Sequence, residues 1–303
     1  MTTFAALGDS ITVGVGDQAR AAGPDGAARR GWAALLAEGL REPDLHILAA
    51  DGACARDIER DQLPRALALR PDVASVVFGV NDTLRPGFDP DQIAESAAHI
   101  VGALRAAGAE VLTMRLPEPD RMPGPPGSSA APLARRADAI NSVMDGIAEQ
   151  FGTLHVDAAG AATDEKRLWA ADRLHPSEHG DRHIARCFHG LLAGAGYPVG
   201  PAPDPEPGNQ PPAQPVQPGR LAAKRTAWVL SRWPILVPYL LAMAAREIYA
   251  RRQRGDQLLP PVPGGSSREP DEGVAAVIDL ARYRRESRAA RAAGMTRNGP
   301  PRR

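Results

Sequence analysis

Five residues, in four short stretches, have the types and spacing to do acyl chemistry. In "FAALGDSITVGVGD", residues 4–17, an apolar run stops at Gly8-Asp9 and Ser10 follows at once. A serine just past a strand most often caps the next helix, so its hydroxyl becomes a nucleophile only where a base and an orienting group stand beside it. "ADRLHPSEHG" holds such a pair in sequence, with His175 directly before Pro176 and Asp172 three residues earlier. A histidine whose Nδ1 is held by a carboxylate is the base half of a hydrolytic triad, although Asp-x-x-His is also an ordinary loop ion pair. Donors aimed at a developing oxyanion complete the requirement. Gly52 in "DGACARDI" can bring a backbone N–H close to a substrate, and Asn81 in "FGVNDTL", two residues after Gly79, offers a side-chain amide. Taken singly, each of these also reads as a turn or cap residue.

The five residues act together only if the chain folds them together, and the hydropathy pattern says how. Near-continuous apolar runs at 3–9, 45–52, 72–80, 110–117 and 153–159 predict strands covered on both faces, as in a parallel sheet. Helical patterns lie between and after them, at 31–40, roughly 56–69, 89–108, 131–152 and 177–196. This βαβα order predicts an α/β, doubly wound sandwich with its function at the carboxyl ends of the strands. Gly52 ends one of the five strand candidates, and Ser10, Asn81 and His175 each follow one.

With that topology in place, the blocks "GDS" (Gly8, Asp9, Ser10), "DGA" (Gly52), "GVND" (Gly79, Asn81) and "DRLHP" (Asp172, His175) resemble, in order and spacing, those of the SGNH or GDSL-type hydrolase superfamily. Each block is weak alone; jointly they span residues 3–193. The resemblance implies a flavodoxin-like, three-layer α/β/α sandwich with a five-stranded parallel sheet, and cofactor-free esterase or lipase chemistry. It further implies Ser10 as nucleophile, His175 as general base and then acid, and Asp172 as its orienter. The Ser10 and Gly52 backbone N–H groups and the Asn81 amide would form the oxyanion hole. The same triad could hand the acyl group to an alcohol rather than water, and a non-catalytic binding protein is the reading from a different class.

Two departures from the family pattern stand out. The first block ends in Ile11 rather than leucine, a hydrophobic swap of small effect. Asp51 precedes Gly52 where a neutral residue is expected, and its carboxylate is expected to face away from the site or to cap the next turn. No G-x-S-x-G elbow is present, which leaves the α/β-hydrolase architecture without a nucleophile. His175, His179 and His183 recur every four residues, a spacing that can bind zinc on a helix. Pro176 disfavours helix at His175, so His179, His183 and His189 are read as ordinary helix residues and no metal is expected.

Charge separates the chain into two parts. Residues 1–219 carry 19 Lys and Arg against 29 Asp and Glu, and residues 220–303 carry 17 against 7, so the net charges are −10 and +10. An acidic body argues against nucleic acid as its partner and leaves the basic part to meet any anionic surface. The expected organisation is a catalytic domain over 1–196, a proline-rich linker over 197–219, a basic amphipathic helical segment over 220–254 and a mostly disordered tail over 255–303. Within the third part Trp233–Ala245 is 13 uncharged residues, short for a membrane span, with arginines on both sides. It is read as a helix for an anionic membrane face or a protein partner, the alternatives being packing on the domain or a true span. The N-terminal residues lack the pattern of a signal peptide, and Cys54 and Cys187 are too few for a disulfide framework. Both suit a cytoplasmic, peripherally membrane-associated protein acting on a small-molecule or lipid ester.

Overall fold

The computed structural model describes residues 1–15, 31–117, 131–158, 166–170 and 174–206. Asp172 and the expected helical segment and tail after residue 206 lie outside them.

Five parallel strands form the sheet: β1 (Thr2–Gly8), β2 (Pro43–Ile47), β3 (Val73–Val77), β4 (Glu110–Met114) and β5 (Leu154–Val156), in the order β2-β1-β3-β4-β5. That 2-1-3-4-5 order is flavodoxin-like, and the direction of winding reverses at β1/β3, where an open sheet leaves a crevice. β1 is central because its side chains are apolar on both faces: Phe4, Ala5, Ala6 and Leu7 are all fully buried. Phe4 and Ala6 belong to the core under α2 (Gly31–Glu38) and α8 (Glu178–Gly194), where Trp32 and Phe188 meet with ring centroids 5.0 Å apart. The opposite face is covered by α4 (Leu63–Leu69), α6 (Pro90–Ala106) and α7 (Ala131–Phe151). The three layers and the five-stranded parallel sheet are those the sequence predicts.

Several boundaries differ from expectation, each for a local reason. β2 spans 43–47 rather than 45–52, and it is an edge strand that solvent reaches, with Asp44 bonded to His46 at 3.0 Å. After it the chain leaves the ladder gradually, Leu48 N–H donating to Ala6 O (2.9 Å) and Ala50 N–H to Gly8 O (3.2 Å). The helical pattern near 56–69 is three pieces: α3 (Ala55–Asp57), a π-helical turn (Ile58–Gln62) and α4. Two short helices, α1 (Ser10–Val13) and α5 (Val80–Thr83), start directly after β1 and β3. Hydropathy gives no sign of either, because a single turn has no periodicity to read.

The segment expected to open a free spacer at residue 197 instead lies on the domain through residue 206. Gly200 N–H donates to Gly39 O (2.7 Å), and His189, Arg186 and Arg182 of α8 donate to the carbonyls of Gly200, Pro203 and Asp204 at 3.0, 2.7 and 3.0 Å. Proline withholds its own N–H but leaves a carbonyl for a neighbour's side chain, and α8 presents three donors in a row. Among the described residues no helix is long and apolar enough to cross a membrane.

Candidate active site

The carboxyl ends of β1 and β3 carry two of the expected residues, and the loop before α8 a third. Asp9 is the N-cap of α1: its Oδ1 accepts from Ile11 N–H at 3.0 Å, so the capping task falls to the aspartate. That leaves the Ser10 hydroxyl free for another partner. His175 Nε2 lies 2.9 Å from Ser10 Oγ, across 165 residues of sequence. Ala170 N–H donates to His175 O (2.9 Å) and Ser177 N–H to Leu168 O (2.8 Å), fixing the loop that brings the imidazole in.

Asn81 sits on α5, where Nδ2 donates to Asp9 Oδ2 and to Ala53 O, each at 3.2 Å. The amide that could serve an oxyanion is thus held by the residue next to Ser10. The peptide before Asn81 needs Gly79, whose φ of +128° and tight approach to Ile140 and Leu116 leave no room for a side chain. Gly52 occupies the turn after β2 with φ +78°, and its carbonyl accepts from Arg85 Nη2 at 3.4 Å. Asp51 is exposed, as expected of a carboxylate that must stay away from an oxyanion. The structure therefore gathers Ser10, His175 and Asn81 around Asp9 and places Gly52 on the adjoining turn.

Two buried carboxyls next to these residues in the chain, Asp9 and Asp82, are not singled out by residue chemistry. Burial pushes Asp9 up to about 7, and nearby Asp82 adds to the rise, against the pull of the Ile11 N–H, His175 and Asn81. Asp82 is raised to about 6, again by burial first, while the Ala55 N–H at 3.1 Å draws it down. The only sequence signal for them is position, each adjoining a candidate site residue. Burial and Asp82 push the Cys54 thiol up against the pull of Arg85, which disfavours its thiolate. Among the described residues no group of three or more His, Cys, Asp or Glu could hold a metal ion. His179 pairs with Glu206 at 3.4 Å and His183 Nε2 lies 3.7 Å from Cys187 Sγ.

A serine hydroxyl on an imidazole at a strand end suits acyl transfer, and comparison with known proteins points the same way. The model of the GDSL-like lipase/acylhydrolase family matches residues 6–183. The chain belongs to that family. As a GDSL-like hydrolase it is a carboxylic ester hydrolase acting on small-molecule esters. It is similar to an acetylxylan esterase from Geobacillus stearothermophilus, 29% identical over an alignment of 200 residues, with 60% of this chain and 90% of the relative covered. Among solved structures, a hydrolase from the metagenome of Lake Arreo, Spain, aligns with TM-score 0.51 at 24% identity, covering 65% of this chain and 95% of the other. A variant of a Geobacillus acetyl-xylooligosaccharide esterase aligns with TM-score 0.50 at 24% identity, covering 63% and 94%. At that identity the structural likeness is one of fold. The family match covers Ser10, Gly52, Asn81, Asp172 and His175.

Proposed function

We propose that this hydrolase cleaves carboxylic esters with a short to medium apolar acyl chain, through an acyl-enzyme on Ser10. The observation that carries the reading is the 2.9 Å approach of Ser10 Oγ to His175 Nε2 at the carboxyl end of the sheet. In this mechanism neutral His175 takes the hydroxyl proton as Oγ attacks the ester carbonyl, and Asp172 holds the imidazole. The tetrahedral oxygen gains the Ser10 and Gly52 N–H groups as donors, and the Asn81 amide once one of its two N–H groups exchanges Asp9 or Ala53 for the oxyanion. Collapse expels the alcohol, which takes its proton from His175, and water repeats the sequence to free the acid.

Support for an apolar acyl group comes from a cavity of about 150 Å³ beside the Ser10–His175 pair. Ile11 follows Ser10, Leu174 and Pro176 flank His175, Val80 precedes Asn81, and all four line it together with Met114 and Leu116. Leu116 is held there by Asn141, whose amide accepts from its N–H (2.7 Å) and donates to its carbonyl (3.0 Å). A dry apolar cavity of this size accepts benzene, about six carbon atoms. A panel of aryl esters of rising acyl length, assayed with the full chain, should therefore peak at roughly four to eight carbons. The acetylxylan esterase relative supports acetyl esters as the second reading. Activity confined to acetyl would select it and reject the cavity as the acyl site.

Fluorophosphonate should label the wild type and leave Ser10→Ala unlabelled; failure to label a folded wild type would reject the serine mechanism. Asn81→Ala should lower kcat by about 10²- to 10³-fold with little change in KM, the loss typical of one oxyanion donor. An unchanged kcat would remove Asn81 from the hole.

A further inference from the structure

We propose that Gln62 is a positioning residue for the reaction, holding the Ser10 turn through the Gly8 peptide; this rests on Ser10 being the nucleophile. Gln62 is 3% exposed, a buried amide on a helix whose other inward residues are apolar. Its Oε1 accepts from Gly8 N–H and its Nε2 donates to Gly8 O, both at 2.9 Å, across 54 residues of sequence. Gly8 ends β1, two residues before Ser10. β2 has already stopped at Ile47, so a side-chain amide stands where a neighbouring strand would have been.

The Gly8 peptide joins the two halves of the site. Its carbonyl accepts from Gln62 and also from Ala50 N–H, on the turn that carries Gly52. Its φ is +155°, and a Cβ there would run into the Val77 carbonyl and the Thr12 hydroxyl, so no side chain is admitted. Asp9, the next residue, caps α1 and receives the Asn81 amide. A rotation of the Gly8 peptide would therefore move the nucleophile relative to the Gly52 N–H and the Asn81 amide. Misplacement on the scale of about 1 Å costs up to 10²-fold in rate.

The π-helical turn makes the clamp possible. Leu63 N–H reaches back five residues to Ile58 O, and the wider turn sends both Gln62 and Leu63 to the buried side. Such bulges insert one residue in a helix and recur at functional sites. Outside, Glu59 fixes the same turn to α6, accepting from Ser96 Oγ at 2.7 Å and pairing with His99 Nδ1 at 2.6 Å. Gln62 is thus held at both ends, which an amide serving only to fill space does not need.

Two variants of the full chain test this, with rates expressed per folded molecule by circular dichroism at the assay temperature. Gln62→Met keeps length and packing and removes both bonds; kcat should fall by roughly 10- to 10²-fold with KM within about twofold. Gln62→Glu is sharper. A protonated carboxyl has one donor and one acceptor and reproduces both bonds, whereas the carboxylate turns a charge toward the Gly8 carbonyl. The ratio of Gln62→Glu to wild-type kcat should therefore be near one at the acid end and fall at least tenfold as pH rises, and dividing by the wild type cancels any pH dependence the two share. A ratio flat with pH, or a folded Gln62→Met with wild-type kcat, overturns the proposal. If fluorophosphonate does not label wild-type Ser10, the nucleophile reading fails first and the positioning role falls with it.

Discussion

Ser10→Ala should lower kcat/KM for an ester of the preferred acyl length by roughly 10⁴-fold or more, and His175→Ala by a similar factor. The first change removes only the hydroxyl, and its partner at 2.9 Å, His175 Nε2, is the base that the proposed mechanism requires. Because the two act as one unit, the double variant should be no worse than the poorer single one. Independent losses that multiply in the double variant would mean that the pair does not share a step. The fold should survive Ser10→Ala, since the cap of α1 is the Asp9 carboxylate and not the serine. The measurement is steady-state hydrolysis of an aryl ester with unfolding followed in parallel. A Ser10→Ala variant that keeps more than about a tenth of the wild-type rate would place the nucleophile elsewhere.

That prediction uses only residues legible in the sequence, and the reason lies in what a motif records. Ser10 and His175 are spelled out by residue type in blocks at strand ends, and strands such as Val73–Val77 announce themselves by unbroken burial. The sheet order follows from the family resemblance and the alternation of elements. What escaped is held by relations between distant backbones. Gln62 sits in "IERDQ", a mostly charged stretch in which it is the one buried polar residue and carries no periodic signal. Its meaning depends on Gly8, whose N–H has to be known to lack a strand partner. The packing of 197–206 was hidden for a related reason, because a proline-rich composition predicts a spacer when the donors that receive its carbonyls lie elsewhere in the chain. Asp9 was visible only as the middle letter of a block, and its burial turns it from a helix cap into a titrating group at the centre of the site.

Asp9→Asn should change how stability depends on pH. A carboxyl raised from 3.8 to about 7 on folding binds its proton more tightly in the native state. Below about pH 4 both states are protonated and Asp9 contributes nothing to the balance. Between about pH 4 and 7 the unfolded chain ionises first, so stability falls as pH rises; above about 7 the whole cost is present, on the order of 4 kcal/mol. Asp82 acts in the same direction up to about pH 6, whereas Glu59 and Asp61, held below the usual carboxylate range by hydrogen bonds from His99 and Arg60, act in the opposite one. Wild-type stability alone therefore mixes the signs, and the difference between variant and wild type isolates Asp9. Asparagine keeps an oxygen for the Ile11 N–H but sets an NH₂ against Asn81 Nδ2, a cost that does not vary with pH. The slope is the readout: the variant should gain on the wild type by about 1.4 kcal/mol per pH unit across this window in urea unfolding. A constant difference from pH 4 to 8 would mean that Asp9 ionises in the folded protein as readily as in the unfolded chain. The same titration bears on the proposed mechanism: below about pH 7, where most of Asp9 is neutral, a developing oxyanion would meet no buried negative charge behind Asn81.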